Sequence, residues 1–366
     1  MKKILILTEA GDAFPSGKIR AFIFNDLFIK RGYRVSYKSY LIPFIVKLYN
    51  SNARLVSLLK KTGVIHALYF LNLTVIKKIN IFLIPILSKG YDIIYLQKIL
   101  SWELVRQLSK KNKARLVYDV NDGLWLPIWR KSTNGKINDI LQSVHAVTCD
   151  NPFGTAYAKK INQNSYLVPD SPQIELFDRV RNKIHDNNST ITIGWVGSPS
   201  TLFNLYLILE PLESIFSRFD NIHLRIVGAG NNPALIPCFE NVRYSIKPYY
   251  SQAELIQEVL KMDIGLFPLF DIENSKARGI LKATVYMSGE TAVISSAVGQ
   301  SKDLIQDGVN GMLAATNKEW EDKLETLITN AELRKKISIK GMETVRANFT
   351  LEQNFEKLLA VLEGAK

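Results

Sequence analysis

In the run DIGLFPLFDIENSKARGILKATVYMSGETAVISSAVGQSKDLIQDGVNGMLA, Asp263 to Ala314, the residue types that could act together are Arg278, Gly279 and Lys282. They follow an apolar strand-like stretch and a polar loop, and they stand at the entry to a helix expected near residues 280–288. The first N–H groups of a helix have no intrahelical acceptor, and two cations beside them add fixed positive charge. That combination suits the two phosphates of a diphosphate. Gly308 and Gly311 in DGVNG mark a tight turn before a short strand. Other chemistries find little footing. The four histidines, His66, His145, His185 and His223, have no metal-ligand spacing. Neither a G-x-S-x-G nucleophile turn nor a G-x-x-x-x-G-K-[ST] phosphate loop is present. Gly228-Ala229-Gly230 lacks the third glycine of a dinucleotide fingerprint.

Positioning these residues requires alternating strands and helices. The chain opens with a strand at Lys3 to Thr8, a loop AGDAFPSGK, an amphipathic helix from about Ile19 to Arg31 closed by Gly32, and a strand at Arg34 to Tyr37. That is a βαβ unit, and its repetition builds a parallel sheet. Further strands are expected at Ile93 to Leu96, Arg115 to Tyr118 and Ala146 to Thr148, with Leu41 to Leu87 mostly helical. The polar stretch RVRNKIHDNNST, 179–190, has no apolar periodicity, and ITIGWVGS then starts a fresh strand. The pattern therefore predicts domains at 1–185 and 190–348, with a final helix in 349–366 packing back on the first. The second half is expected to place strands at 191–196, His223 to Val227, near Val242, Asp263 to Phe267 and Ala292 to Ser295. Helices are expected near 202–217, 251–261, 280–288, 301–306, 318–329, 331–347 and 351–363. Two doubly wound sheets in tandem leave a cleft, and ligands of such sheets bind beyond the carboxyl ends of the strands.

Apolar residues at 47% and charged residues at 22% describe a globular chain. Its most apolar region, Val64 to Leu87, is interrupted by Lys77 and Lys78. Neither half supplies the roughly 18 to 20 uninterrupted apolar residues of a spanning helix, so a soluble or peripheral protein is expected. Cys149 and Cys238, far apart in sequence, suit a reducing cytoplasm better than a disulfide framework. The net charge of +13 is uneven: residues 1–185 hold 29 Lys and Arg against 12 Asp and Glu, whereas residues 186–366 hold 18 against 22. A basic first half predicts a polyanionic partner or an anionic membrane surface. Lys47, Arg54, Lys60 and Lys61, interleaved with apolar residues over Leu41 to Val64, would form a basic amphipathic surface suited to a membrane-embedded, lipid-linked acceptor. No signature of a nucleic-acid-binding module accompanies the charge.

Most of the chain, and residues 191–314 most strongly, resembles glycosyltransferase family 4, and specifically its polysaccharide-biosynthesis branch. The resemblance rests on GWVGSPST at Gly194 to Thr201, on YDVNDGLW at Tyr118 to Trp125, on IVGAG at Ile226 to Gly230 and on the strand, loop, helix and DGVNG turn between Asp263 and Ala314. It implies a GT-B fold, α/β, with two Rossmann-like doubly wound domains facing across a cleft. It also implies retaining, metal-independent sugar transfer from a nucleotide-sugar, bound by the C-terminal domain, to a cell-surface glycan or lipid-linked acceptor. The nucleotide-sugar would be a co-substrate, with no tightly bound cofactor. By this resemblance Arg278 and Lys282 neutralise the departing diphosphate. Gly197, Ser198, Ser200 and Thr201 add N–H and hydroxyl donors. Ser16, Gly17, Lys18 and Arg20 lie where the first domain presents a loop to donor and acceptor. Asp119 and Asp122 orient a hydroxyl or hold a loop, and Asn121 stands where many relatives carry a donor-site histidine.

The sequence departs from the family pattern where relatives carry two glutamates eight positions apart, since Ala277 and Val285 occupy those positions. No basic residue lies between Ile191 and Ser217, so a diphosphate leans harder on Arg278 and Lys282. The lost carboxylates leave two alternatives open: a nucleotide-sugar epimerase, and a non-catalytic protein of this fold that binds an anionic membrane or a partner.

Overall fold

The computed structural model describes residues 1–51, 54–133, 135–181 and 190–364. Residues 182–189 of the expected boundary stretch, His185 among them, and the side chain of Arg54 lie outside the described residues. The chain divides into two units, Met1–Asp170 with Asn354–Lys366, and Ser171–Gln353. The division falls ahead of the polar stretch because helix Ile174–Arg181 buries Ile174 and Phe177 in the apolar cluster of the second unit. The last helix, Leu351–Glu363, sets Phe355 against Phe24 and Phe28 of the first unit.

The first unit is a parallel sheet of β1 (Lys3–Thr8), β2 (Arg34–Ser39), β3 (Ile93–Gln97), β4 (Arg115–Val120), β5 (Ala146–Cys149) and β6 (Ser165–Leu167), in the order β2-β1-β3-β4-β5-β6. β3 and β4 are almost wholly buried, as strands covered by helices on both faces must be. β6 was not legible: SYL is too short to show alternation. The expected loop and helix after β1 take another form. A tight turn at Gly11–Ala13 leads into helix Pro15–Arg20, and the chain breaks at Ala21 before helix Asn25–Lys30. Pro15 occupies the first helical turn, where its missing N–H is no loss. The break lets Phe22 stack on Tyr37 at 4.6 Å.

The second unit repeats the design with β7 (Ile191–Val196), β8 (Ile222–Val227), β9 (Tyr244–Lys247), β10 (Ile264–Phe267), β11 (Ala292–Ser296) and β12 (Met312–Ala314), in the order β12-β11-β10-β7-β8-β9. The chain winds outward from β7 to β9 and then returns to lay β10 beside β7, so the carboxyl ends of β7 and β10 flank the point where the winding reverses. Gly194 and Gly265, paired across these two strands, leave room for the side chains that pack over the sheet there. A Cβ on Gly194 would sit 2.0 Å from the Met262 sulfur, and one on Gly265 would sit 2.5 Å from the Tyr286 ring. The helix expected at 202–217 begins as a 3-10 segment, Pro199–Ile208, and becomes α-helical at Leu209–Arg218. Asn204 donates its side-chain amide to the Thr201 carbonyl at 3.1 Å, a local bond that competes with regular helix.

Candidate functional site

In the second unit the loops after β7 and β10 bring together the residues singled out in the sequence. β7 ends in Trp195-Val196, and the chain turns at Gly197 into Ser198. The turn is as tight as the packing allows: a Cβ on Gly197 would lie 2.1 Å from the Trp195 ring, and one on Gly228 would lie 2.1 Å from the Gly197 carbonyl oxygen. Tyr286, on helix Leu281–Ser288, pins the strand end. Its hydroxyl accepts from the Val196 N–H at 2.6 Å and donates to the Leu266 carbonyl at 3.3 Å.

Lys282 lies in the first turn of that helix, with Arg278 and Gly279 just before it. Its ammonium donates to the Thr201 hydroxyl at 3.1 Å and stands 5.1 Å from the centre of the Trp195 ring. Burial, and then the neighbouring Arg278 guanidinium, lower the Lys282 pKa from 10.5 to about 7. Among the described residues of this unit, Arg278 and Lys282 are the partly buried cations that no carboxylate neutralises. Arg225, Lys247 and Arg334, for example, face Glu258, Glu254 and Asp263. Two uncompensated cations beside the open N–H end of an eight-residue helix form a place for an anion. The positions at which relatives were expected to carry glutamates, Ala277 and Val285, are buried and apolar.

The loop after β7 contributes less backbone than expected. The Gly197 N–H donates to the Val227 carbonyl at 2.9 Å, and the Ser198 N–H donates to the Thr201 hydroxyl at 3.1 Å in a capping box. Their N–H groups are therefore committed to the fold. What the loop presents is the Ser198 and Ser200 hydroxyls, 3.0 Å apart on exposed residues, and the Thr201 hydroxyl that positions Lys282.

In the first unit the residues expected beside donor and acceptor fall into two groups. Gly17 is helical: its N–H donates to the Phe14 carbonyl at 3.1 Å, and a Cβ there would lie 2.2 Å from the Gly11 carbonyl oxygen, so the glycine serves a close backbone approach. Lys18, next to it, is exposed. Arg20, expected on a ligand-facing loop, is instead buried. Its guanidinium grips Asp119 through Nε at 2.8 Å and Nη2 at 2.7 Å, and Nη1 reaches Asp170 at 2.7 Å. Thr148 also donates to Asp119, at 2.7 Å. Asp119 is fully buried, with its carboxylate oxygens taken up by Arg20 and Thr148. Burial and the Asp170 carboxylate push the neighbouring Asp150 up to about 8.

Asp122 and Asn121, beyond the end of β4, form the second group. Asp122 has φ +60° and pairs with Lys98 at 2.6 Å; Lys98, just past β3, has φ +51° and lies 4.4 Å from the Trp129 ring centre. Asn121 donates to Asp122 at 3.3 Å and accepts from Gln97 at 3.4 Å. Two facing residues in left-handed backbone at the carboxyl ends of adjacent strands carry local strain of the sort that collects at ligand sites. Glu9, at the end of β1, is buried enough to rise to about 7. Lys98, Glu9, Trp195 and Tyr286 were missed in the sequence. The available signal was position, because Glu9 and Lys98 each follow directly on a strand.

Comparison with known proteins gives a consistent picture. Residues 190–330 match the family model described as glycosyl transferases group 1. No curated protein matches the sequence. Among solved structures the chain is similar to sucrose-phosphate synthase from Thermosynechococcus elongatus, at 14% identity and TM-score 0.67, covering 100% of this chain and 99% of that one. It is similar to a glycosyltransferase from Rickettsia africae ESF-5, at 16% identity and TM-score 0.67, covering 100% and 98%. Anabaena HepE in complex with UDP and glucose is similar at 12% identity and TM-score 0.68, covering 100% of both chains. The two parallel six-stranded sheets are those of GT-B glycosyltransferases, the α/β class expected from the sequence.

Proposed function

We propose that this protein transfers a sugar from a nucleotide-sugar donor to a hydroxyl of a cell-surface glycan or a lipid-linked acceptor, on the cytoplasmic side of the membrane. The observation that carries the reading is the pair Arg278 and Lys282, partly buried and without a carboxylate partner among the described residues, in the segment that matches the group 1 glycosyl transferases. Breaking the bond between the anomeric carbon and a nucleoside diphosphate builds negative charge on the departing β-phosphate. Preorganised cations that meet that charge lower the barrier without further reorganisation. Lys282 sits where an arriving diphosphate would restore its full protonation, so donor binding and charge stabilisation are coupled. The Ser198 and Ser200 hydroxyls offer further donors. With cations in this role no metal is required, and the acceptor attacks on the face the leaving group vacates, giving retention. Asp122, held by Lys98, orients an acceptor hydroxyl, and the exposed Lys18 of the same unit offers a further cation.

The test is a thermal-shift screen against UDP, GDP, dTDP, ADP and CMP and their common sugars, repeated on Lys282→Ala. One nucleotide stabilising the parent and not the variant is expected. Turnover should then fall on the order of 10- to 1000-fold in Arg278→Ala and in Lys282→Ala. Parent-like kinetics in both variants would sink the proposal. A second reading is favoured by the buried Ala277 and Val285: a protein of this fold that binds the nucleotide, or a partner, without turnover. Nucleotide stabilisation combined with no sugar release or epimerisation identifies it.

A further inference from the structure

The long apolar helix of the first unit has its hydrophobic face on the outside. The chain is helical from Val64 to Leu87, a run of 24 residues that passes through one wide turn at Asn72–Ile76. Val64, Leu68, Leu71, Val75, Ile79 and Phe82 recur every three or four residues, the spacing that ordinarily turns a stripe toward the core. Here each is exposed, from 38% at Leu68 to 61% at Phe82. A contiguous apolar surface of this extent is rare on a free-standing soluble protein and marks a surface that meets something else.

The other side of the helix is bolted to the unit. Asn72 is fully buried; its side chain accepts from the Ile42 N–H at 3.0 Å and donates to the Ile42 carbonyl at 3.3 Å. Asn80 donates to the Tyr40 carbonyl at 2.7 Å, and Ile65 and Ile84 are buried near the two ends. The run is long and apolar enough to cross a bilayer, but it is docked on the unit near both ends and in the middle, and Lys77 lies over the Tyr40 ring. Docked in this way it lies flat along the unit, exposing about 36 Å of apolar length at roughly 1.5 Å per residue.

Charge identifies the partner. From Leu41 to Gly90 the sequence has seven Lys and Arg and no Asp or Glu. The helices leading in, Pro43–Asn50 and Arg54–Lys61, add exposed Phe44 and the exposed Lys61 to the same segment. A second copy docking on this face would bring like charges together. An anionic bilayer offers hydrocarbon for the stripe and phosphates for the lysines. We propose that helix Val64–Leu87 inserts in the plane of an anionic lipid surface and is the membrane anchor of the first unit. The proposal is independent of sugar transfer, and its failure would leave that reading untouched.

The experiment is sedimentation of the full-length protein with phosphatidylcholine vesicles containing roughly 30% phosphatidylglycerol, against pure phosphatidylcholine, at about 0.1 M and about 0.5 M NaCl. Three forms are compared: the parent, Val75→Asp/Phe82→Asp and Lys61→Gln/Lys78→Gln, whose lysines are exposed. Expected are binding of the parent to the anionic vesicles, weakened by salt, and a loss of roughly tenfold or more in the aspartate variant. The glutamine variant should bind more weakly with a flatter salt dependence. Both altered pairs lie outside the core, and the parent melting temperature in each variant, together with an unchanged nucleotide thermal shift, excludes misfolding. Phe82→Trp should be quenched by brominated acyl chains beyond the parent tryptophans. Equal binding of the parent and the aspartate variant overturns the proposal, as does absence of parent binding to anionic vesicles. A parent dimer that the aspartate variant converts to monomer, with no lipid binding, assigns the face to self-association instead.

Discussion

Replacing Lys282 by methionine, which fills similar space without the charge, separates what this residue does for the fold from what it does for a ligand. Its ammonium is held from 10.5 down to about 7, first by burial and then by Arg278. Because the folded pKa lies below the unfolded one, the unfolded chain binds more protons between those two values, and the parent gains stability as pH rises through that window. The full shift corresponds to a cost of about 5 kcal/mol near pH 6.5, falling to about 1 kcal/mol near pH 9.5. Water reaches part of the side chain, and the Thr201 hydroxyl and Trp195 ring return some of the loss, so about 2 kcal/mol at the lower pH is the working figure. Lys282→Met should therefore be the more stable protein near pH 6.5, by roughly 5 °C in melting temperature, and the gap should close as pH rises. The nucleotide diphosphate that stabilises the parent should do so more weakly above about pH 8, where an ammonium of this kind has lost its proton, and should not stabilise the variant. Calorimetric melts across the pH range read both effects. A variant no more stable than the parent, with the same pH slope, would refute the argument, because it would mean that the ammonium is already fully solvated.

Arg20→Met strands the fully buried Asp119 and should cost about 3 to 5 kcal/mol in urea unfolding, and this group of charges rather than any ligand should account for the loss. Loss of nucleotide binding without loss of stability would return Arg20 to the ligand site. Tyr286→Phe removes the acceptor of the Val196 N–H and should cost about 1 to 3 kcal/mol, with faster hydrogen exchange at that amide as its specific sign. Gly197→Ala sets a methyl against the Trp195 ring and should cost about 1 to 3 kcal/mol by overpacking. Near-UV circular dichroism should report the displaced indole, and an unchanged spectrum with parent stability would contradict the packing described for this turn.

The sequence alone determined the alternation of strands and helices, because period-two and buried apolar runs such as IIYLQ and ITIGWV have few other stable uses. It also determined that Arg278 and Lys282 stand at a helix entry, since Gly279 and the apolar run after it set that boundary locally. Short or irregular pieces escaped it: β6 has three residues, and the break at Ala21 depends on where Phe22 and Phe24 find partners far along the chain. Tertiary structure alone decided which polar groups are spent on the fold. Arg20 and Asp119 are 99 residues apart, yet they satisfy each other in the core, and no local pattern announces a buried pair. The amides of Gly197 and Ser198 are consumed by Val227 and Thr201, so a loop that reads as an anion cradle contributes chiefly hydroxyls. Conversely, Val64 to Leu87 has the spacing of an ordinary core helix, and only its anchoring through Asn72 and Asn80 turns that stripe outward. Periodicity is a local property of the chain, whereas burial and hydrogen-bond satisfaction depend on which distant residues arrive beside each group.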